Sequence, residues 1–190
     1  MASELFRPLR QVEVHRGSLI SLTRSSFEGP DGTVFERDVV HHPGAVSAVP
    51  FLEATGEVIM VRQYRAAIDT DLLEIPAGKR DVAGEPPEET ARRELVEEIG
   101  MAAGRLRLLA EFYNSPGFCD EYSHVFLAED LAAVEGSLQG IEEQHMTLER
   151  VLLDDVPAMI AAGRIVDAKS IIGLMLAGHV LGSGTGGGAG

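Results

Sequence analysis

Three glutamates near the end of a predicted helix are the residues best suited to chemistry in this sequence. Glu94, Glu97 and Glu98 stand at i, i+3 and i+4, so their carboxylates share one helical face. The helix dipole disfavours each anion there by about 0.3–1 kcal/mol, and like charges at this spacing cost about 0.2–0.5 kcal/mol more. Only Arg93 can help along the helix. We therefore expect a divalent metal ion in front of this face, although an exposed acidic patch also fits the spacing alone.

The expected ion follows from the ligand chemistry. Ligands that offer only oxygen favour Mg²⁺, or alternatively Mn²⁺, over zinc. Such ions can activate a water molecule and neutralise the charge of a phosphate group. The residues therefore indicate metal-assisted hydrolysis of a phosphate compound.

The helix that would carry the glutamates has clear start and stop signals. Pro86 and Pro87 are suited to its first turn, good helix formers continue to Ile99, and Gly100 is suited to end it. Alternating or apolar runs bounded by turn residues predict strands elsewhere. The predicted strands are Val12–Phe27, Thr33–His41, Ala45–Leu52, Val58–Arg65, Leu72–Ile75, Leu106–Phe112, Tyr122–Leu127 and Met146–Leu153. Two more helices, Val156–Ala162 and Ala168 to about Leu181, complete an α/β (α+β) pattern with a mixed sheet.

The composition limits which binding partners and which cellular compartment we expect. A net charge of −14 repels phosphate backbones, which argues against a nucleic-acid partner but allows an anionic substrate bridged by metal. A 45% hydrophobic content supports one sizeable core. Cys119 is the single cysteine, and we find neither a signal peptide nor an apolar run long enough to span a membrane. We predict a cytoplasmic protein.

The segment from Glu85 to Met101 resembles the Nudix box. Glu85 is followed eight residues later by Arg93-Glu94-Leu95-Val96-Glu97-Glu98-Ile99-Gly100-Met101, which matches the Arg-Glu-aliphatic-x-Glu-Glu-x-Gly-aliphatic part of that motif. One departure is that Gly78 lies seven residues before Glu85 rather than six, which implies a one-residue insertion in the loop 79–84.

The resemblance implies a Nudix-type α/β/α sandwich that hydrolyses a nucleoside diphosphate linked to another group. By position, Glu94 and Glu98 would be the principal Mg²⁺ ligands and Glu97 would support them. The backbone carbonyl of Ala77 would add a further ligand. Arg93 would orient a carboxylate on its own helix.

Features outside the box are similar to the ADP-ribose pyrophosphatase branch of the family. They are Pro116 sixteen residues beyond Gly100, the Gln63–Arg65 segment, and the Leu73–Gly78 segment. Such enzymes also carry a catalytic glutamate on a loop near Glu142-Glu143. We take Glu143 as the general base, with Glu142 as the alternative; both could instead be solvated loop acids.

Two arginines are candidates for substrate binding. A guanidinium fork suits two phosphate oxygens, so Arg65 is our candidate for the substrate phosphates, or else a surface arginine at a strand end. Arg37 is a weaker candidate on the N-terminal strands. The resemblance to the ADP-ribose pyrophosphatase branch makes Pro116 a third candidate for substrate binding.

The domain prediction has three parts. Residues 1–43 form an N-terminal β-hairpin that serves dimerisation, residues 44–181 form the Nudix hydrolase domain, and residues 182–190 form a flexible Gly-rich tail. The resemblance implies a homodimer. The expected activity is Mg²⁺-dependent hydrolysis of ADP-ribose to AMP and ribose 5-phosphate. The alternatives are another nucleoside-diphosphate-sugar or dinucleotide pyrophosphatase, and a ligand-sensing Nudix domain that does not cut.

Overall fold

The computed structural model describes residues 5–134 and 145–183. Within them lie ten strands and three α-helices. The strands are β1 (Arg7–Arg16), β2 (Ser21–Glu28), β3 (Val34–His41), β4 (Ala45–Leu52), β5 (Glu57–Arg65), β6 (Thr70–Glu74), β7 (Ala77–Lys79), β8 (Met101–Tyr113), β9 (Tyr122–Ala133) and β10 (Thr147–Leu152). The helices are α1 (Pro87–Ile99), α2 (Val156–Ala161) and α3 (Ala168–Ser183).

The chain divides into two compact units. One unit comprises the residues up to Gly44 together with Phe112–Tyr122, and the other comprises Ala45–Glu111 and the residues from Ser123 onward. The return of Phe112–Tyr122 to the first unit was not predicted, because it depends on contacts between distant parts of the chain.

The first unit contains an antiparallel sheet with the strand order β1-β2-β3. The single strand predicted over Val12–Phe27 is wrong in extent, because it is broken by a turn. The amide of Gly17 donates a 2.8 Å hydrogen bond to the carbonyl of Ile20, which reverses the chain between β1 and β2. The loop after β8 joins this unit through a bridge between Val40 and Cys119.

The second unit is built on a mixed sheet with the order β10-β5-β4-β9-β8, in which β6 pairs with β5 and β7 pairs with β4. The β4–β9 pair is parallel, whereas the other neighbours of β4 are antiparallel. The predicted mixed sheet is confirmed.

Helices cover both faces of the β4 region. Ala48 packs in a buried cluster with Leu95 and Ile99 of α1. The neighbouring Val49 points to the opposite face, since successive strand residues alternate, and it lies against Gly173 of α3. This arrangement confirms the predicted α/β/α sandwich. Burial of each large apolar side chain in these layers contributes about 1.5–3 kcal/mol.

Gly173 allows α3 to approach the sheet closely. A Cβ atom at this position would lie 2.9 Å from a Val125 methyl carbon and 3.1 Å from Ile75 and Val49 methyl carbons. Helix α3 can therefore pack this closely against the sheet only if residue 173 has no side chain.

Helix α3 is more apolar than helix α1. Across residues 5–134 and 145–183, no helix combines the length and the apolar character needed to cross a membrane.

Candidate active site

Helix α1 forms where its capping residues predicted. Pro86 precedes it in an extended conformation, and Glu88 and Glu89 occupy the first turn, where the helix dipole favours anions. Gly100 ends it with φ 64°, a left-handed conformation that glycine adopts without strain, and its amide bonds the carbonyl of Val96 at 3.1 Å. The last turn contains no basic residue. The last turn of the helix therefore supplies no positive side chain to balance the carboxylates.

The carboxylates of this face gather around one arginine. Nη1 of Arg93 donates to Glu94 at 2.9 Å and to Glu97 at 3.1 Å, and Nη2 donates to Glu85 at 3.4 Å. Asp81 lies 3.7 Å from the same nitrogen. Burial alone would lower the pKa of Arg93, but the surrounding carboxylates raise it, so this arginine stays charged. Arg93 thus contacts two carboxylates of its own helix, and its role in orienting a carboxylate stays a prediction.

Glu85 is held in place despite the longer loop before it. Its carboxylate accepts a 2.7 Å hydrogen bond from the Thr90 hydroxyl and the longer bond from Arg93. These bonds, the one from Thr90 first, lower the pKa of Glu85. The extra residue in the loop 79–84 therefore leaves the contact between Glu85 and the helix intact.

Strand β7 lies directly against the carboxylates. A Cβ atom on Gly78 would come within 1.9–2.3 Å of the Glu94 carboxyl group, so only glycine leaves room for Glu94 here. The amide of Ala77 donates a 2.9 Å hydrogen bond to the buried Glu98 carboxylate. The predicted ligands Ala77, Glu94 and Glu98 thus lie together at the point where β7 meets α1.

This arrangement fits a divalent cation on two grounds. The donor set consists of carboxylate oxygens with strand backbone beside them, which suits a hard cation. Because Gly78 has no side chain, the Glu94 carboxylate lies directly against the backbone of β7, beside the Ala77 backbone. Across the described parts of the chain, no three His, Cys, Asp or Glu groups already converge on one point. The Arg93 guanidinium occupies the position between Glu94 and Glu97.

Arg65 lies at the end of β5 and forms an ion pair with a buried carboxylate. Its Nε and Nη2 atoms donate to the two oxygens of Glu74 at 2.8 and 2.6 Å. The Glu74 side chain is 1% exposed, whereas that of Arg65 is 39% exposed. Burial would raise the pKa of Glu74, but hydrogen bonds and charge from Arg65 and Lys169 outweigh it and lower the pKa.

The residues behind this pair were not predicted from the sequence. Lys169 donates to Glu74 and, at 2.9 Å, to Asp167. Residues 74 and 169 are far apart in sequence, and no local pattern links them. The available signal was a charged pair, Asp167 and Lys169, at the start of an otherwise apolar helix.

The first unit contains an aromatic cavity of about 370 Å³. Arg37 and Pro116, both predicted to bind substrate, line it. The guanidinium of Arg37 lies 4.8 Å from the ring centre of Phe35, and Phe35 stacks on Phe27 with centroids 5.6 Å apart. The other lining residues are Val39, Tyr113, Gly117, Phe118, Cys119 and Asp120.

The remaining predicted residues stand as follows. Glu142 and Glu143 lie outside the described residues, so the identity of the general base stays a prediction. Cys119 accepts a 3.4 Å contact from the amide of Glu121. The ring of His41 bonds Asp120, while His42 bonds the amide of Gly44, so the two rings have separate partners.

Comparison with known proteins places this geometry in a family. Residues 41–171 match the NUDIX domain. The chain belongs to the Nudix family.

Two relatives share most of this chain. The ADP-ribose pyrophosphatase of Bacillus subtilis (strain 168) is 38% identical over 164 residues, which is 86% of this chain and 88% of the relative. The ADP-ribose pyrophosphatase of Mycobacterium tuberculosis (strain ATCC 25618 / H37Rv) is 37% identical over 175 residues, or 92% and 84% of the two chains. A solved structure of an ADP compounds hydrolase has the same fold, with a TM-score of 0.82, 24% identity, and coverage of 97% of this chain and 99% of the other.

Proposed function

We propose that this protein is a Nudix pyrophosphatase that hydrolyses ADP-ribose to AMP and ribose 5-phosphate with Mg²⁺. Two relatives that carry the name ADP-ribose pyrophosphatase are 37–38% identical over most of this chain. Nudix ADP-ribose pyrophosphatases depend on divalent metal ions. The choice of Mg²⁺ follows from the oxygen-only donor set.

One observation carries the proposal: four carboxylates, those of Asp81, Glu85, Glu94 and Glu97, lie around the guanidinium of Arg93. Arg93 contacts Glu85, Glu94 and Glu97, and Gly78 leaves the room that Glu94 needs. A site designed only for stability would pair these anions with more cations, because repulsion between them is unfavourable. The site therefore suits a substrate that brings its charge together with a divalent ion.

Residues of this chain would bind the ion, bind the diphosphate and accept a proton. Glu94 and Glu98 would hold the ion, with Glu97 and the Ala77 carbonyl in support. A divalent ion bound there supplies neutralisation of phosphate charge and lowers the pKa of a water molecule. Arg65 would donate hydrogen bonds to the diphosphate. Glu143, or Glu142 in its place, would accept the proton of the attacking water.

The aromatic cavity of the first unit supports recognition of a nucleobase. Its volume is in the range of small-molecule sites, and stacked aromatic rings suit a flat purine. Arg37 adds a cation that can stack on a base. Arg37→Ala should raise the KM for ADP-ribose about tenfold, since such a contact contributes on the order of 1–2 kcal/mol. Arg24→Ala is the matched control, because Arg24 forms an exposed ion pair with Asp38 in the same sheet.

A substrate panel tests the activity directly. The wild-type protein is incubated with ADP-ribose, other nucleoside-diphosphate sugars, dinucleotides and nucleoside triphosphates, each with Mg²⁺ and again with excess EDTA. We expect AMP and ribose 5-phosphate from ADP-ribose, and no turnover with the chelator. If ADP-ribose is not among the best substrates, its assignment is wrong and another member of the panel replaces it.

We also propose a homodimer that works in the cytoplasm. Every residue of β1 is exposed, including Leu9, Val12 and Val14, and β1 is the outer strand of its sheet. Outer strands with exposed apolar residues favour pairing with another chain. Sizing chromatography at micromolar concentration should give a dimer, and elution as a monomer would refute it. The single cysteine suits a reducing compartment.

A further inference from the structure

A buried carboxylate, Glu74, lies behind Arg65 and holds two cations. Glu74 accepts three hydrogen bonds: two from Arg65, at 2.8 and 2.6 Å, and one from the Lys169 ammonium. Lys169 and one nitrogen of Arg65 share the same oxygen, Oε2. The side chains of Glu74 and Lys169 are 1% and 15% exposed, so the contact is shielded from water.

Arg65 keeps donors for a further partner. A guanidinium has five N–H donors, and the two contacts to Glu74 use Nε and Nη2. Within the described residues, Nη1 of Arg65 has no hydrogen-bond partner. The positive charge of Arg65 also interacts with Glu98, one of the predicted metal ligands. The guanidinium therefore uses one edge, Nε and Nη2, for Glu74.

Lys169 is itself fixed by the start of α3. The Asp167 carboxylate accepts hydrogen bonds from the amide and the hydroxyl of Ser170, at 2.9 and 2.6 Å, and one from Lys169. The hydroxyl of Ser170 in turn accepts a 2.9 Å bond from the amide of Ile75. The first turn of α3 is thereby attached to the chain next to Glu74.

The charges explain why a lysine is needed. Without Lys169, the buried carboxylate of Glu74 would depend on Arg65 alone for charge compensation, because a buried charge must be compensated. The second cation, Lys169, shares that task. Arg65 can then interact with an additional anion at a lower cost.

We propose that Lys169 is a positioning residue that acts through Glu74 to hold Arg65 where it binds the diphosphate of the substrate. The inference rests on the proposed hydrolysis of ADP-ribose. Lys169 does not touch the substrate; it sets the place and the available charge of Arg65.

The test compares Lys169→Met, which keeps the length of the side chain and removes its charge, with Lys169→Arg, which restores a cation. Binding of α,β-methylene ADP-ribose, an analogue that cannot be hydrolysed at the diphosphate, is measured by calorimetry with Mg²⁺. We expect Lys169→Met to weaken binding about tenfold, which corresponds to the coupling of residues in one ionic network. Lys169→Arg should recover most of the affinity, and thermal melts report the stability of each variant separately.

A double-mutant cycle separates positioning from general stability. If Lys169 acts through Arg65, Lys169→Met should weaken the analogue much less in an Arg65→Ala background than in the wild type. An equal loss in both backgrounds, or wild-type affinity in Lys169→Met, overturns the proposal. If Lys169→Met does not fold, Lys169→Gln, which retains a donor for Glu74, takes its place and the same outcomes decide.

Wild-type turnover distinguishes the two ideas. If the wild-type protein does not hydrolyse ADP-ribose, the proposed function fails. If it hydrolyses ADP-ribose and the cycle shows no coupling, only the role of Lys169 is wrong.

Discussion

Two groups of charged side chains in the second unit differ in the balance of their positive and negative charges. Glu74 and Asp167 are matched by Arg65 and Lys169, so two anions face two cations. The α1 group instead places several carboxylates around Arg93. We call the first the balanced group, because two cations face two anions, and the second the unbalanced group, because four carboxylates lie around Arg93. This difference is in line with our proposals that the balanced group positions Arg65 and that the unbalanced group binds a divalent cation.

The largest expected effect is at the unbalanced group. Glu94→Gln removes a ligand charge, so turnover should fall on the order of a thousandfold, equivalent to about 4 kcal/mol of transition-state stabilisation. The melting temperature should change little, because fewer carboxylates then repel one another. Steady-state kinetics with Mg²⁺ measure the first effect and thermal melts the second.

Glu89→Gln is the control for that change. Glu89 is exposed in the first turn of the same helix, and its substitution should leave turnover near the wild-type value. Near-normal turnover in Glu94→Gln would contradict the role of the carboxylate face.

The balanced group should respond in the opposite way. Glu74→Gln leaves Arg65 and Lys169 without their carboxylate, so the free energy of unfolding should drop by about 3 kcal/mol. Glu149→Gln is the matched control, because Glu149 pairs with Arg62 at 2.6 Å on a more exposed surface. Its loss should cost less than about 1 kcal/mol. Urea unfolding measures both, and equal losses would remove the distinction between the two pairs.

Gly78→Ala tests the contact between β7 and the carboxylates. The added methyl group would displace Glu94, which should weaken Mg²⁺ binding about tenfold, the lower end of effects seen around metal ligands. Gly178→Ala is the control, since a Cβ there meets no atom within 4 Å. Calorimetric titration with Mg²⁺ measures the change, and unaltered affinity in Gly78→Ala would show that Glu94 does not need this space.

The smallest expected effect is a difference in acid stability. The pKa of Glu74 is lower in the folded protein than its ordinary value, so its contribution is present above that ordinary value and is lost as the pH falls through the folded pKa. The wild-type protein should therefore lose more stability than Glu74→Gln on acidification below about pH 4.5. Unfolding curves at several acidic pH values measure this, and parallel losses would contradict it.

Local features of the site were predictable from the sequence. The prolines before α1 and Gly100 after it fixed the helix within one or two residues, and helical periodicity placed Glu94, Glu97 and Glu98 together. These features depend on neighbours within a few positions. The position of Ala77 beside these glutamates was expected only from the resemblance to a family motif, and the contact between Gly78 and Glu94 was not predicted.

Other features depend on long-range packing and were not predictable. The ion pair of Lys169 with Glu74 joins residues 95 positions apart. The aromatic cavity combines β2 and β3 with the loop after β8. The turn at Gly17 was missed because the loose alternation of apolar and polar residues on both sides of it was taken as one strand.

The close packing of Gly173 has a consequence for reading variants of this protein. Gly173 lies one helical turn after Lys169, and a helix moves as a rigid rod over that distance. A larger residue at 173 would push the rod outward and carry the ammonium away from Glu74. In a screen of random variants, substitutions at position 173 would then weaken substrate binding, although the atoms nearest a side chain there are methyl carbons of the core.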